Sequence, residues 1–145
     1  RLGEIENLPV PDNSVDVVIS NCVINLCPDK RRVFAETYRT LKPGGRLMVS
    51  DIVLEEDLPD NLKDSVEAYA SCIAGASLKA DYIQAIQTAG FQDVRIEGET
   101  ISWIQPADFQ SSEGCENNCE CGCCDAAEDE FPIISLQVSA VKPAA

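Results

Sequence analysis

The stretch VDVVISNCVINLCPDKRRVFAETYRTLKPGGRLMVSDIV, from Val15 to Val53, decides the fold. It opens with a β-branched run, Val15 to Ser20, which is typical of a central strand buried on both faces. Asp29 then provides a cap for a helix that KPGG brings to an end. A second apolar run, Arg46 to Val53, predicts another buried strand. Strand, helix and strand within about 40 residues predict a parallel crossover unit.

The rest of the chain predicts two more helices and a final pair of strands. One helix spans Asn61 to Ala74, and the next runs from a Ser77 cap to about Ala89, where Gly90 closes it. Alternating apolar residues predict strands from Phe91 to Ser102 and from Ile133 to Val141. We expect these two strands to pair antiparallel at the edge of the sheet, which makes the fold class α/β.

The domain organisation follows from a change in composition late in the chain. Residues 1–104 read as the C-terminal half of an α/β domain, and residues 131–145 as a final edge strand with a tail. Between them, residues 105–130 are rich in Cys, Ser, Gly and acidic side chains and have no apolar periodicity. That composition predicts a flexible insertion.

The charge of the chain excludes several classes of partner. Lys and Arg number 11 against 25 Asp and Glu, and the formal net charge is −14. Such a surface repels phosphate backbones and anionic lipid, so we expect neither nucleic acid nor a membrane as partner. The sequence has no apolar run of about 18 residues and no secretory leader, which favours the cytoplasm. Because the chain begins at Arg1, we expect it to be processed or part of a longer protein.

The eight cysteines fall into two groups. Cys22, Cys27 and Cys72 lie in segments that resemble core, whereas five crowd one acidic stretch: Cys115, Cys119, Cys121, Cys123 and Cys124. Adjacent and alternating cysteines pair poorly with one another as disulfides. The distribution favours a reducing compartment in which thiols remain available for soft ligands.

Cys22 occupies a position where α/β sheets bind ligands. With Asn21 it ends the first predicted strand, and open α/β sheets bind ligands beyond the carboxyl ends of their strands. The alternative is a small buried packing residue, which is how most free cysteines behave. On the predicted helix, Cys72 points about 100° away from the apolar stripe and so could face a cleft. Two thiols from separate segments suit a thiophilic metal or metalloid.

Three segments carry a family resemblance. VDVVISNCVINL, RTLKPGGRLMVSDIV and SCIAGA with AIQTAGFQDVRI together resemble the second half of an arsenite S-adenosylmethionine methyltransferase, over about Gly3 to Ile96. The resemblance implies a partial Rossmann-like class I methyltransferase fold, with parallel strands, crossover helices and a C-terminal antiparallel pair. It also implies that Cys22 and Cys72 are the catalytic residues that bind trivalent arsenic. A third essential cysteine of the family lies upstream of the matched region.

The same resemblance implies a cofactor site for S-adenosyl-L-methionine. GEIENLPVPDNSVD matches the segment beside the adenine, so Ile5 and Glu6 would flank that ring, and Asn21 would line the pocket near the reacting centre. The Gly-rich loop and acidic ribose-binding residue of class I methyltransferases are not in this sequence. We therefore expect this chain alone to bind the cofactor weakly and not to turn over.

The implied chemistry needs no general base, because thiolate-bound arsenic(III) keeps a lone pair that attacks a sulfonium methyl group held at about 3–3.5 Å. The expected partners are arsenite or a thiol–arsenic conjugate and a thiol reductant. A second copy of the chain is expected to pair through an exposed sheet edge.

The five clustered cysteines allow several interpretations. Four thiolates satisfy zinc, but CENNCECGCCD lacks the usual paired C-x₂-C spacing. The alternatives are a segment that captures arsenic for the Cys22–Cys72 pair and an incidental, oxidation-prone loop. Two rival functions also remain: a generic class I small-molecule methyltransferase with packed cysteines, and a non-catalytic, thiol-rich metal-binding protein.

Overall fold

The computed structural model describes residues 1–58, 72–73, 75–104 and 130–144. Its elements are β1 (Val15–Asn21), a 3₁₀ turn (Ile24–Leu26), α1 (Lys30–Thr40), β2 (Leu41–Leu54), α2 (Lys79–Thr88), β3 (Gln92–Ile104) and β4 (Phe131–Val141). The four strands form one sheet in the order β1-β2-β4-β3. The predicted α/β class is confirmed. Within the described ranges, every helix is too short or too polar to cross a membrane.

The predicted crossover unit is present. β1 and β2 run parallel, with Val18 opposite Leu47, and α1 connects them. β4 pairs antiparallel with both β2 and β3, which confirms the predicted antiparallel pair. The final strand is not at the edge, however. β4 lies between β2 and β3, and β3 is the outer strand.

α1 begins where the sequence predicts and ends slightly earlier. The Asp29 carboxylate accepts a hydrogen bond from the Arg32 backbone N–H at 3.0 Å, which confirms the cap. The buried side chains Val33, Phe34 and Thr37 recur at helical spacing. β2 then starts directly at Leu41, so the strand includes KPGG rather than following it.

Groups from distant parts of the chain satisfy the last carbonyl oxygens of α1. Arg39 O accepts from the Asn13 N–H at 3.0 Å, and Thr40 O accepts from the Ser14 N–H at 2.8 Å. The Lys142 ammonium, just after β4, donates to Tyr38 O and Leu41 O at 2.7 Å each. These contacts explain why the helix needs no glycine to end it.

The start of α2 departs from prediction. Its N-cap residue is Leu78 and no side chain caps the helix, so the predicted Ser77 cap is wrong. Ser77 instead extends the edge of the sheet, since its carbonyl accepts from the Leu54 N–H at 3.0 Å. Gly90 has a φ of 105° and its N–H donates to Gln87 O, as expected of a glycine that ends a helix.

The helix predicted over residues 61–74 lies mostly outside the described residues. Cys72 and Ile73 are described, and neither is helical. Cys72 has a φ of 63°, a left-handed conformation that a right-handed helix excludes. The predicted end of this helix is therefore wrong. The predicted insertion at residues 105–130 also lies outside the described residues, except for Glu130.

The main core lies on one face of the sheet, and a smaller cluster of Leu54, Leu58, Ile73 and Ile104 lies near the end of β2. Both helices pack against the main core, where the Phe34 and Tyr82 rings meet edge to face at 5.3 Å. The opposite face exposes Val17, Ile19 and Met48, at 47%, 75% and 47% of their surface. Both described helices cover the same face, and among the described residues β1 pairs with β2 alone. The expectation that β1 is central and buried on both faces is therefore wrong for the described residues.

Dimerisation through the outer edge of the sheet stays a prediction.

Replacing Lys142 with methionine should destabilise the fold. The change leaves Tyr38 O, Leu41 O and Asn13 Oδ1 without the ammonium donor, which we expect to lower the free energy of unfolding by about 2–4 kcal/mol. Urea denaturation measures the change. The matched control Lys42→Met removes only an exposed ion pair with Asp16 and should cost less than about 1 kcal/mol. Equal losses in the two variants would contradict this account.

Candidate functional site

Cys22 lies where β1 leaves the sheet. Asn21 and Ser50 form the last paired position of β1 with β2, and the Cys22 N–H donates to Ser50 O at 2.9 Å. Cys22 has a φ of 53°, which is uncommon for a residue other than glycine and turns the chain away from β2. Its side chain is half-buried at the carboxyl end of the strand.

Cys72 lies against the same turn, 50 residues further along the chain. Its thiol donates a hydrogen bond to the Cys22 carbonyl oxygen at 3.1 Å, and the side chain is buried. The structure thus brings together the two cysteines that the sequence singles out. They meet through a turn with left-handed backbone at both residues, not through the flank of a helix.

Asn25 connects these segments and was missed as a site residue. It is 1% exposed, and its amide donates to Ile52 O at 2.6 Å and to Cys72 O at 3.3 Å. Both partners are carbonyl oxygens, so the amide nitrogen must face them. The signal in the sequence was a lone polar residue inside the apolar run VINL.

A buried carboxyl group lies near Cys22, one residue after the Ser50 that pairs with the end of β1. Asp51 is 1% exposed, accepts a hydrogen bond from the Tyr82 hydroxyl, and has no partner for Oδ1 in the described part of the chain. Burial raises the pKa of Asp51, and the Tyr82 hydroxyl and the Lys30 charge partly oppose that shift. Burial, followed by the charge of Asp51, raises the pKa of Tyr82. Asp51 was visible as an acidic residue in an apolar strand, whereas nothing in the local sequence marked Tyr82.

The surroundings of Cys22 raise the pKa of its thiol. Burial is the largest cause of its raised pKa, followed by the nearby Cys72 and by the charge of Asp51. A ligand that binds this sulfur as a thiolate must therefore displace a proton that is held more tightly than in an exposed cysteine.

The residues predicted to hold the cofactor are spread along the N-terminal segment and the end of β1. Ile5 packs against the core, and the Glu6 carboxylate accepts from the Asp29 N–H at 3.3 Å. Asn21 is exposed and lines a groove of about 200 Å³ with Ile19 and Met48. Glu97 and Gln137 line the same open groove, so it combines apolar and polar side chains.

The N-terminal segment is fixed along α1 by polar contacts. The Arg39 guanidinium donates to Leu8 O at 3.1 Å and to Val10 O at 2.9 Å, while the Glu36 carboxylate accepts from the Leu8 N–H at 2.9 Å. Hydrogen bonds from Arg39 are the main reason why the pKa of Glu36 is lowered. The loop that carries Ile5 and Glu6 is thereby held in place.

The remaining candidate ligands lie outside the described residues. These are the clustered cysteines Cys115, Cys119, Cys121, Cys123 and Cys124. Among the residues that are described, no group of three or more Cys, Asp or Glu side chains is arranged to hold a metal ion. The contact between the two cysteines that the structure describes is the hydrogen bond from the Cys72 thiol to the Cys22 carbonyl oxygen.

Fold and site together define the class of protein. The chain belongs to the methyltransferase-domain family, whose model matches residues 1–90. An arsenic(III) S-adenosylmethionine methyltransferase from Chlamydomonas reinhardtii has a similar structure, with a TM-score of 0.70 and 34% identity over 97% of this chain and 43% of that one.

Within that class, the similarity is to arsenite methyltransferases, which confirms the resemblance. The chain is 51% identical over 96 residues to that of Halobacterium salinarum, covering 66% of this chain and 25% of the relative. It is 35% identical over 110 residues to that of Homo sapiens, covering 76% and 28%. The chain thus spans about a quarter of the length of these relatives.

Replacing Asp51 with asparagine should lower the pKa of the Cys22 thiol. The variant keeps an acceptor for the Tyr82 hydroxyl and removes the negative charge that disfavours the Cys22 thiolate. Alkylation of Cys22 by iodoacetamide, followed by peptide mass spectrometry from pH 6 to 10, should be faster in the variant at each pH below the pKa. The control Asp16→Asn changes an exposed carboxylate at the start of β1 and should leave the profile unchanged. A pKa equal to or above that of the parent chain would contradict the assignment.

Proposed function

We propose that this chain is the arsenic-holding part of an S-adenosylmethionine-dependent arsenite methyltransferase. One observation carries the proposal: the Cys72 thiol lies 3.1 Å from the Cys22 carbonyl oxygen, at the carboxyl end of a parallel strand. Sequence similarity to arsenite methyltransferases supports the choice of substrate.

The two cysteines hold arsenic(III) as soft sulfur donors. Each As–S bond forms as a thiol sulfur replaces a hydroxide or thiolate on arsenic, and the thiol proton leaves with the displaced group as water or free thiol. Soft thiolates suit this element better than oxygen or nitrogen ligands. The arsenic keeps its lone pair, so the site needs no histidine as a base, and the chain contains none.

Ile5, Glu6 and Asn21 are proposed to hold the adenosine side of the cofactor. S-adenosyl-L-methionine would supply an electrophilic methyl group when bound. Arg39 and Glu36 keep the Ile5–Glu6 loop in position, and Asn21 lies next to Cys22 in the chain. The role of this chain is then orientation, since it places the sulfur-bound arsenic beside the pocket of the methyl donor.

The charge of the chain is compatible with this substrate. Arsenous acid is uncharged at neutral pH, so a net charge of −14 does not repel it. The rival in which both cysteines only pack in the core is less favoured, because Cys22 stays half-buried and accessible. The rival of a metal-sequestering loop depends on residues 115–124, which lie outside the described part.

Loss of either cysteine should abolish tight capture of a trivalent arsenical. In a chain whose five clustered cysteines are replaced by serine, Cys22→Ser and Cys72→Ser should each weaken binding of phenylarsine oxide about 100-fold, because the second sulfur then no longer binds intramolecularly. Isothermal titration calorimetry measures the affinity. The control Cys27→Ala removes a cysteine from the main core and should leave the affinity unchanged. Unchanged affinity in either serine variant would reject the proposed pair.

The chain by itself should not methylate arsenite. The Gly-rich cofactor loop of class I methyltransferases does not occur among its 145 residues, so we expect the ribose and the methionine of the cofactor to have few partners in this chain. Incubation with arsenite, glutathione and labelled S-adenosylmethionine should give no methylarsenic above the background without protein. Methylated arsenic detected by liquid chromatography with elemental mass spectrometry would show that these residues form a complete site.

A further inference from the structure

A side-chain hydrogen bond replaces a backbone hydrogen bond at the point where β1 and β2 separate. Paired strands continue at intervals of two residues, so after Cys22 N–H to Ser50 O the next parallel rung would be residue 24 N–H to Ile52 O. Cys22 has turned the chain away by then. The Asn25 amide donates to Ile52 O at 2.6 Å instead, and so takes the place of the missing backbone donor.

The same amide binds the backbone of the second cysteine. Asn25 Nδ2 donates to Cys72 O at 3.3 Å, and this contact is buried. Two hydrogen bonds therefore join Cys72 to the turn that follows β1: the thiol to Cys22 O, and the Asn25 amide to Cys72 O. One side chain links β2, the turn and the Cys72 segment.

These two hydrogen bonds respond differently to arsenic. A thiol that has given up its proton to form an As–S bond has no hydrogen to donate, so the contact from Cys72 to Cys22 O is lost on binding. The Asn25 amide takes no part in that reaction, so we expect it to keep both of its hydrogen bonds. It is the described contact that can still hold Cys72 beside Cys22 in the arsenic-bound state.

We infer that Asn25 is a positioning residue that holds the backbone of Cys72 so that both sulfurs can bind one arsenic atom. The inference rests on the proposed function. Asn25 acts through Cys72 and does not itself touch the arsenic. Its contribution is to the bidentate state, in which both sulfurs bind, and not to the reactivity of either thiol alone.

A double-mutant cycle tests the inference, because it separates positioning of the pair from general damage to the fold. The parent is the full chain with Cys115, Cys119, Cys121, Cys123 and Cys124 replaced by serine. The variants Asn25→Asp, Cys22→Ala and the double variant are made in this parent. The affinity of each for phenylarsine oxide is then measured. Asn25→Asp keeps the shape of the side chain and loses the amide donor. The control Asn7→Asp makes the same change at an exposed position.

With Cys22 present, Asn25→Asp should raise the dissociation constant about tenfold, the loss expected for one buried hydrogen bond. With Cys22→Ala, arsenic binds Cys72 alone, and Asn25→Asp should change the constant less than about twofold. Equal losses in both backgrounds, or no loss in either, would overturn the inference. If Cys22→Ala itself leaves the affinity unchanged, the proposed function fails instead.

Folding of each variant is checked by far-UV circular dichroism. If Asn25→Asp does not fold, Asn25→Ser takes its place in the cycle, because it places no carboxylate against the two carbonyl oxygens. The same tenfold and twofold criteria then apply. Failure of both variants to fold would assign Asn25 to the stability of the domain and overturn the inference.

Discussion

The place where β1 separates from β2 determines the geometry of the site. Pairing continues to Asn21 and Ser50, and then the left-handed backbone of Cys22 turns the chain out of the sheet. That turn presents the Cys22 carbonyl oxygen to the Cys72 thiol, and the charge of the buried Asp51 acts on the Cys22 thiol. It also brings Asn25 back to the edge of β2. The contacts that join Cys22, Asn25 and Cys72 depend on this change of direction.

The site carries conformational cost that the surrounding contacts must offset. Cys22 and Cys72 both have positive φ angles, and non-glycine residues in such conformations cost of order 1–3 kcal/mol each. Asp51 adds a buried carboxyl group with an unpartnered oxygen among the described residues. Such features persist where other contacts stabilise the neighbouring structure. Here those contacts are the hydrogen bonds of the Asn25 amide and the Tyr82 hydroxyl and the backbone pairing of β2 with β4.

The covered and the open face of the sheet have different roles. Alternate residues of β2 and β4 form the core beneath both helices, and this packed sheet supports the site. The opposite face leaves Val17, Ile19 and Met48 accessible beside Asn21. Glu97 and Gln137 border the same groove, so apolar and polar groups lie side by side there. The exposure of Val17 and Ile19 explains why β1 is not buried on both faces. The proposed cofactor groove includes Asn21, which directly precedes Cys22 at the end of β1.

Local sequence determined the elements of this protein, and tertiary contacts decided the site. The Asp29 cap, the helical spacing of Val33 and Phe34, and the alternation along β4 each depend on residues a few positions apart, so they could be predicted. The cysteines could be paired because their motifs resemble a known family. The left-handed turns, the missing Ser77 cap and the roles of Asn25, Asp51 and Tyr82 depend on contacts between residues tens of positions apart. Periodicity and capping carry no information about such contacts, because they arise only when the sheet has brought the segments together.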